Sequence, residues 1–161
     1  MLRKIAAIIP NARFERAQGS TGLSLTFMIT KEQGYSKFLR LGPIPLANGS
    51  LCAINEMGQM PLEQQKTLLD FAEECWSTNN NYGINAHIIG NTSLVGSANP
   101  RNGRWKHPDK IELDEIPVLT QIIDRLDIIC ILRETDSCSP DFSYFRPGAL
   151  LACHLNNSSV F

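Results

Sequence analysis

The chain has 161 residues, 43% of them apolar, and a formal net charge of −1 at pH 7. That is enough for one domain with a core, and the near-zero charge excludes a global basic field of the kind that draws nucleic acid or anionic membrane, leaving only local clusters for such contacts. No apolar run approaches the ~20 residues needed to cross a bilayer, and the run from Leu2 stops at Pro10, too short for a secretory signal. Cys52, Cys75, Cys130, Cys138 and Cys153 are odd in number and form no Cys-x-x-Cys pair, which reads as reduced thiols without a zinc site. Cys52 and Cys130 fall inside expected core strands.

Taken in order, Leu2 to Ile9 has helical spacing, with Ile5, Ile8 and Ile9 on one face and Pro10 as its stop. Gly19-Ser20-Thr21-Gly22 is a turn without the Gly-Lys-Ser/Thr ending of a phosphate loop. Leu23 to Thr30 and Tyr35 to Leu41 read as strands, with Lys37 and Arg40 exposed. Pro43 and Pro45 argue against a regular central strand beyond them, and Asn48-Gly49 turns the chain into Leu51. Leu51 to Asn55 is a short apolar run bounded by turn residues, the pattern of a strand buried on both faces. Pro61 to Trp76 is the clearest helix, with Leu62, Leu69, Ala72 and Trp76 on one stripe flanked by Leu68 and Cys75. The asparagines at 79–81 predict a hairpin. Thr92 to Ala98 reads as a buried strand ending in Asn99-Pro100. The loop from Pro100 to Lys110, with Arg101, Arg104, Lys106, His107 and Lys110, is the most basic stretch and reads as solvated. A short helix is expected at 116–124 and an apolar strand at Ile128–Leu132. After Thr135 the patterning dissolves, and residues 134–161 read as an irregular tail.

Polar side chains at the carboxyl end of a buried strand lie where open α/β sheets bind ligands. Asn55-Glu56 has that position. An apolar run followed by Asp-Glu is the Walker B pattern of nucleotide motors, in which the Asp helps hold Mg²⁺ and the Glu orients the attacking water. Here the first acid is replaced by the amide of Asn55, and an ordinary core strand ending in a polar turn fits the same residues. Asn99 repeats the situation at the end of the later strand.

The order of the pieces resembles the ATPase core of the minichromosome maintenance (MCM) proteins, ring-forming replicative helicases of the AAA+ class. Gly19-Ser20-Thr21-Gly22-Leu23-Ser24-Leu25-Thr26 is similar to that family's Gly-Ser-Ser-Gly-Val-Gly-Leu-Thr segment. Leu41 to Gly49 is similar to its Ala-Gly-Ala-Leu-Val-Leu-Ala-Asp-Gly, and Cys52 to Met60 to its Cys-Ile-Asp-Glu-Phe-Asp-Lys-Met. Ala98-Asn99-Pro100 with Gly103-Arg104, and Asp124-Arg125-Leu126-Asp127, resemble its Ala-Asn-Pro, Gly-Arg and Ser-Arg-Phe-Asp motifs. The likeness covers about residues 2–133.

The resemblance implies an α/β fold: a P-loop-NTPase-like parallel sheet with flanking helices and β-hairpin insertions, incomplete at both ends, with a partial AAA+ core at 1–133 and the tail after it. It implies ATP and Mg²⁺ as family ligands, with Glu56 as the water-orienting carboxylate, Asn99 as the sensor of the γ-phosphate and Arg125 as the arginine finger of a neighbouring subunit. Asn55 takes the degenerate metal position. Asn55, Glu56 and Asn99 are then the nucleotide-contacting set. Residues 23–48 would be one insertion hairpin and 75–88 the hairpin facing DNA. Partners would be other AAA+ subunits in a ring and, more weakly, DNA, with no membrane. Location would be cytoplasmic and nucleoid-associated in a prokaryote, nuclear in a eukaryote.

The departures are chemical. No Gly-Lys-Ser/Thr occurs anywhere in the sequence, and Asn55 removes a charge from the metal shell. Asn81 stands where active relatives carry a lysine near the hairpin tip, weakening phosphate contact, and Pro43 and Pro45 are expected to distort the first hairpin. The expectation is therefore a degenerate domain that neither hydrolyses ATP nor unwinds DNA by itself, with binding of ATP and Mg²⁺ by this chain left open. The open alternatives are a fragment of an active helicase whose P-loop lies outside this chain, a non-enzymatic interaction module using the hairpins or the Phe142–Phe145 stretch, and another AAA+ branch.

Overall fold

The computed structural model describes residues 1–17, 25–31, 37–79, 84–103, 105–106, 113–131 and 150–154. In chain order these form α1 (Leu2–Ile8), β1 (Arg13–Arg16), β2 (Phe27–Thr30), β3 (Phe38–Leu41), α2 (Pro43–Leu46), β4 (Leu51–Asn55), α3 (Leu62–Glu74), β5 (Trp76–Asn79), β6 (Ala86–Ile89), β7 (Ser93–Ala98), α4 (Thr120–Ile123), β8 (Ile128–Ile131) and β9 (Leu150–His154), with single 3₁₀ turns at Met57–Gln59 and Leu113–Glu115. No helix among them is long and apolar enough to cross a membrane.

The main sheet has the order β1-β4-β7-β9-β8. β1, β4 and β7 are parallel neighbours. β9 runs antiparallel to both β7 and β8, so β8 points the same way as the parallel strands. One expectation is corrected here. The segment after residue 133 was read as irregular, yet Leu150–His154 is a strand of the sheet; its apolar run lies behind a stretch rich in Ser and Pro that hides it, and it supplies partners for the backbone groups of β7 and β8. Strand 128–131 therefore does not pair with β7 directly. Residues 132–149 and 155–161 lie outside the described residues, as do Phe142 and Phe145.

Both faces of the parallel strands are covered, as a parallel sheet requires. On one face Cys52, Ile54, Leu94 and Ala98 join Leu68 and Phe71 of α3 and the apolar residues around α4 in the main core. On the other, Ala53 and Val95 are buried under Leu2 of α1, with Ile5, Ala6 and Phe14 beside them. The expected α1 face was wrong: Ile8 is 80% exposed, because the side that meets the sheet is set by Leu2, Ile5 and Ala6 at helical spacing. α3 buries Gln65, Leu68 and Phe71; of the expected stripe Leu69 and Ala72 pack partly buried against the same core while Leu62 is half-exposed, and the helix stops at Cys75 in the left-handed region, so that Trp76 already belongs to β5. Burying Leu68 fully stabilises the fold by about 2 kcal/mol.

The two hairpins stand outside this sheet. β2 and β3 pair antiparallel from Phe27↔Leu41 to Thr30↔Phe38. Pro43 and Pro45 do not distort that ladder, because pairing ends at Leu41 and Pro43 opens α2, where a missing N–H is harmless. β5 and β6 pair from Trp76↔Ile89 to Asn79↔Ala86, the expected hairpin around the asparagines; the tip with Asn81 lies outside the described residues. The helix expected at 116–124 is reduced to Thr120–Ile123, since Pro117 biases Ile116 away from helical backbone. Cys130, expected in the core, is exposed on the edge strand β8.

Candidate functional site at the carboxyl edge of the sheet

β4 and β7 end side by side, and the chain leaves β4 through a tight turn. Glu56 takes left-handed backbone (φ 61°, ψ 44°), unusual for a residue with a side chain, and Gln59 N–H closes the turn on the Glu56 carbonyl at 2.9 Å. Two glycines make room for it. A Cβ on Gly96 would lie 1.8 Å from Met57 Sδ, and one on Gly58 would lie 2.3 Å from Pro117 Cγ. Met57 thus plugs into β7, and the 116–118 segment closes over the turn.

The result is an open cleft of about 340 Å³ lined by Glu56, Gly58, Gln59, Asn99, Pro100, Arg101 and Pro117. The structure brings Glu56 and Asn99 to one cleft. Arg101, read from sequence only as one charge of a basic loop, joins them; its Nε–H donates to the Asp114 carbonyl at 3.0 Å and its backbone N–H to the Glu115 carbonyl at 2.8 Å. Arg104 and residues 107–112 of that loop lie outside the described residues.

Asn55 points to the α1 side of the strand. Ser97 Oγ donates to Asn55 Oδ1 at 2.9 Å and accepts from the Glu56 N–H at 3.3 Å. The outer atom of the Asn55 amide is therefore its nitrogen, a donor. Arg16, in register with Asn55 on β1, is exposed. An amide nitrogen and a guanidinium do not fit the oxygen-rich shell of Mg²⁺, and among the described residues no group of three or more His, Cys, Asp or Glu could hold a metal. Arg16 and Ser97 were not legible as site residues. The Arg-Phe-Glu-Arg stretch shows no clean apolar alternation, and Ser97 sits in a run that reads only as core.

Arg125 is elsewhere. Its guanidinium pairs with the Glu73 carboxylate near the end of α3 and donates to the Gln121 carbonyl at 2.7 Å. These bonds tie it to α3 and α4, and it is not among the residues that line the cleft of Glu56 and Asn99.

The second hairpin carries an exposed aromatic pair: Trp76 and His87 stack with centroids 4.7 Å apart at 27°. The Cys52 thiol is buried in β4: burial, then the Glu15 charge, pushes it up to about 12, against a smaller opposing effect of Arg13.

The model of the MCM P-loop domain family matches residues 1–143. The chain is 24% identical over 156 residues to the DNA replication licensing factor Mcm6 of Drosophila pseudoobscura pseudoobscura, covering 96% of this chain and 19% of that protein. It is 27% identical over 135 residues to the minichromosome maintenance protein MCM of Saccharolobus solfataricus, covering 83% and 20%. DNA replication licensing factor mcm7 of Schizosaccharomyces pombe is 24% identical over 142 residues, covering 88% and 19%. The chain thus spans about a fifth of the length of the curated relatives it matches. With a family match over most of its length, and a parallel sheet whose carboxyl edge carries Glu56 and Asn99, the chain belongs to the MCM P-loop domain family.

Proposed function

We propose that this chain is a partial, degenerate MCM-like AAA+ domain of the DNA replication helicase class, one that neither hydrolyses ATP nor unwinds DNA by itself. The observation that carries the reading is the Asn55–Ser97 pair at the metal position: a tied amide stands where catalysis needs a free carboxylate oxygen. The 161 residues also contain no Gly-Lys-Ser/Thr segment to cradle the β- and γ-phosphates.

In this reading Glu56 and Asn99 keep the positions of the water-orienting carboxylate and the sensor. Glu56 can accept a hydrogen bond from a water in the cleft, but the neighbouring Asn55 supplies a tied amide where a metal-holding carboxylate would be needed. Arg125, which pairs with Glu73, serves as an arginine finger toward the nucleotide of a neighbouring AAA+ subunit in a ring; that it does not line its own cleft supports a role in trans. The hairpins within 23–48 and 75–88 are the surfaces for DNA, and contact at the second is weak, because its strands carry no lysine or arginine. Calorimetry with Mg·ATP tests the proposal: the isolated chain is expected to show no micromolar binding, and micromolar affinity overturns it.

One observation favours a second reading. The chain spans about a fifth of its relatives, so it also fits a fragment of an active helicase whose phosphate loop another segment supplies. In that case Asn55→Asp raises hydrolysis in the longer protein.

A further inference from the structure

We propose that the row Arg16–Asn55–Ser97, on the α1 side of the sheet's carboxyl edge, is an anion site that takes the oxygens of a polyphosphate without a divalent cation. This rests on the reading above in one respect, that phosphate chemistry belongs at this edge.

The row follows from register. Arg13–Arg16 pairs with Cys52–Asn55, and Leu51–Ile54 pairs with Ser93–Gly96. Partners in a parallel sheet point to the same face, and residues two apart share it. Phe14, Ala53 and Val95 form one such row, confirmed by their common packing with Leu2 of α1. Two residues further toward the carboxyl edge, the next row is Arg16, Asn55 and Ser97.

Its hydrogen bonds fix its polarity. Ser97 Oγ already accepts from the Glu56 N–H, and its hydroxyl hydrogen goes to Asn55 Oδ1. The Asn55 amide hydrogens are not used by the Ser97 bond, and Arg16 is the ladder neighbour of Asn55 on the same face, its backbone one strand away at about 5 Å. Donors and a positive charge repel a bare divalent cation and match phosphate oxygens, which Arg binds through paired N–H groups. The nearby carboxylates are turned elsewhere. Glu15 alternates to the opposite face of β1, and Glu56, after its left-handed turn, lines the cleft that Arg101 also lines.

The test uses inorganic tripolyphosphate as the probe, titrated in EDTA into the full ¹⁵N-labelled chain, with the Asn55 side-chain amide followed by NMR. A saturable shift is expected, with a dissociation constant on the order of 1 mM for so few contacts. Arg16→Gln should weaken binding about tenfold, Arg16→Lys should retain most of it, and Asn55→Asp should abolish it in EDTA. A shift that requires Mg²⁺, or an unchanged affinity in Arg16→Gln, overturns the proposal. Arg16 is exposed, so its variants keep the fold, which the same spectra report. The readout involves no nucleoside, metal or turnover. Failure of the non-hydrolysing role, seen as micromolar Mg·ATP binding, is therefore a separate result.

Discussion

Gln65 ties the segment that leads to Arg125 onto α3. Its side chain is 6% exposed. Its Nε2 donates to the Met60 carbonyl at 3.0 Å, and its Oε1 accepts from the Leu119 N–H at 2.8 Å. One amide therefore satisfies a carbonyl before α3 and an N–H just before α4. Gln65→Ala leaves both without partners. A buried, unpaired polar group costs about 1–3 kcal/mol; the Leu119 end is only partly buried, which places the total at about 2–4 kcal/mol. Gln65→Met, which keeps the volume and loses both bonds, should cost nearly as much. Gln65→Glu keeps the acceptor for Leu119 but sets a carboxylate against the Met60 carbonyl. Protonation of the new carboxyl restores a donor, so the folded state holds that proton more tightly than the unfolded chain. Its stability should be greatest below the ordinary glutamate value of about 4.3 and fall as pH rises through the higher folded value. Urea unfolding followed by circular dichroism reads these changes as a lowered midpoint at constant slope. A loss below about 1 kcal/mol for both Gln65→Ala and Gln65→Met would refute the assignment of Gln65 as the tie.

Gly96→Ala should cost about 1–3 kcal/mol, because the added Cβ displaces Met57; Met57→Ala in the same chain should restore part of it in urea unfolding, which additive losses would contradict. Cys52 should resist alkylation at pH 8 in the folded chain and react on unfolding, as mass spectrometry after iodoacetamide treatment would read. Its thiol lies at about 12 when folded against 9.0 for a free thiol, so folding favours the protonated form. Its contribution is present below pH 9 and is lost as pH rises toward 12; Cys52→Ala should flatten the fall in stability between pH 9 and pH 11 relative to the parent chain. Glu73→Gln should cost under about 1 kcal/mol, since the pair it breaks is about one-third exposed on both sides; a loss of several kcal/mol in thermal unfolding would show that the contact is structural.

The elements legible in the sequence were those with a single dominant signal. β4 and β7 are short apolar runs that end in Asn55-Glu56 and Asn99, and the sheet puts those ends together. α3 was legible in extent but only in part in facing, because Gln65 looks polar and yet is buried by its two backbone bonds, while Leu69 and Ala72 do pack against the core. β1 was not legible: an edge strand with two exposed arginines lacks the apolar run that marks β4. β9 was not legible because its pairing is with strands distant in sequence, as between Leu150 and Ile131 or Ala98, which no local pattern encodes. Glu56 and Asn99 were singled out from strand-end position, and the structure places both at one cleft. Arg16 and Ser97 become visible only through the register of neighbouring strands, a non-local property.

Phosphate release from Mg·ATP by the isolated chain, compared with its Glu56→Gln variant, bears most directly on whether the carboxyl edge can run the reaction. With the Asn55 amide tied to Ser97 and no lysine loop in these residues, the two proteins are expected to release phosphate at the same background rate. Turnover above that background that Glu56→Gln abolishes would mean that a working catalytic site survives here, and would contradict the degenerate assignment.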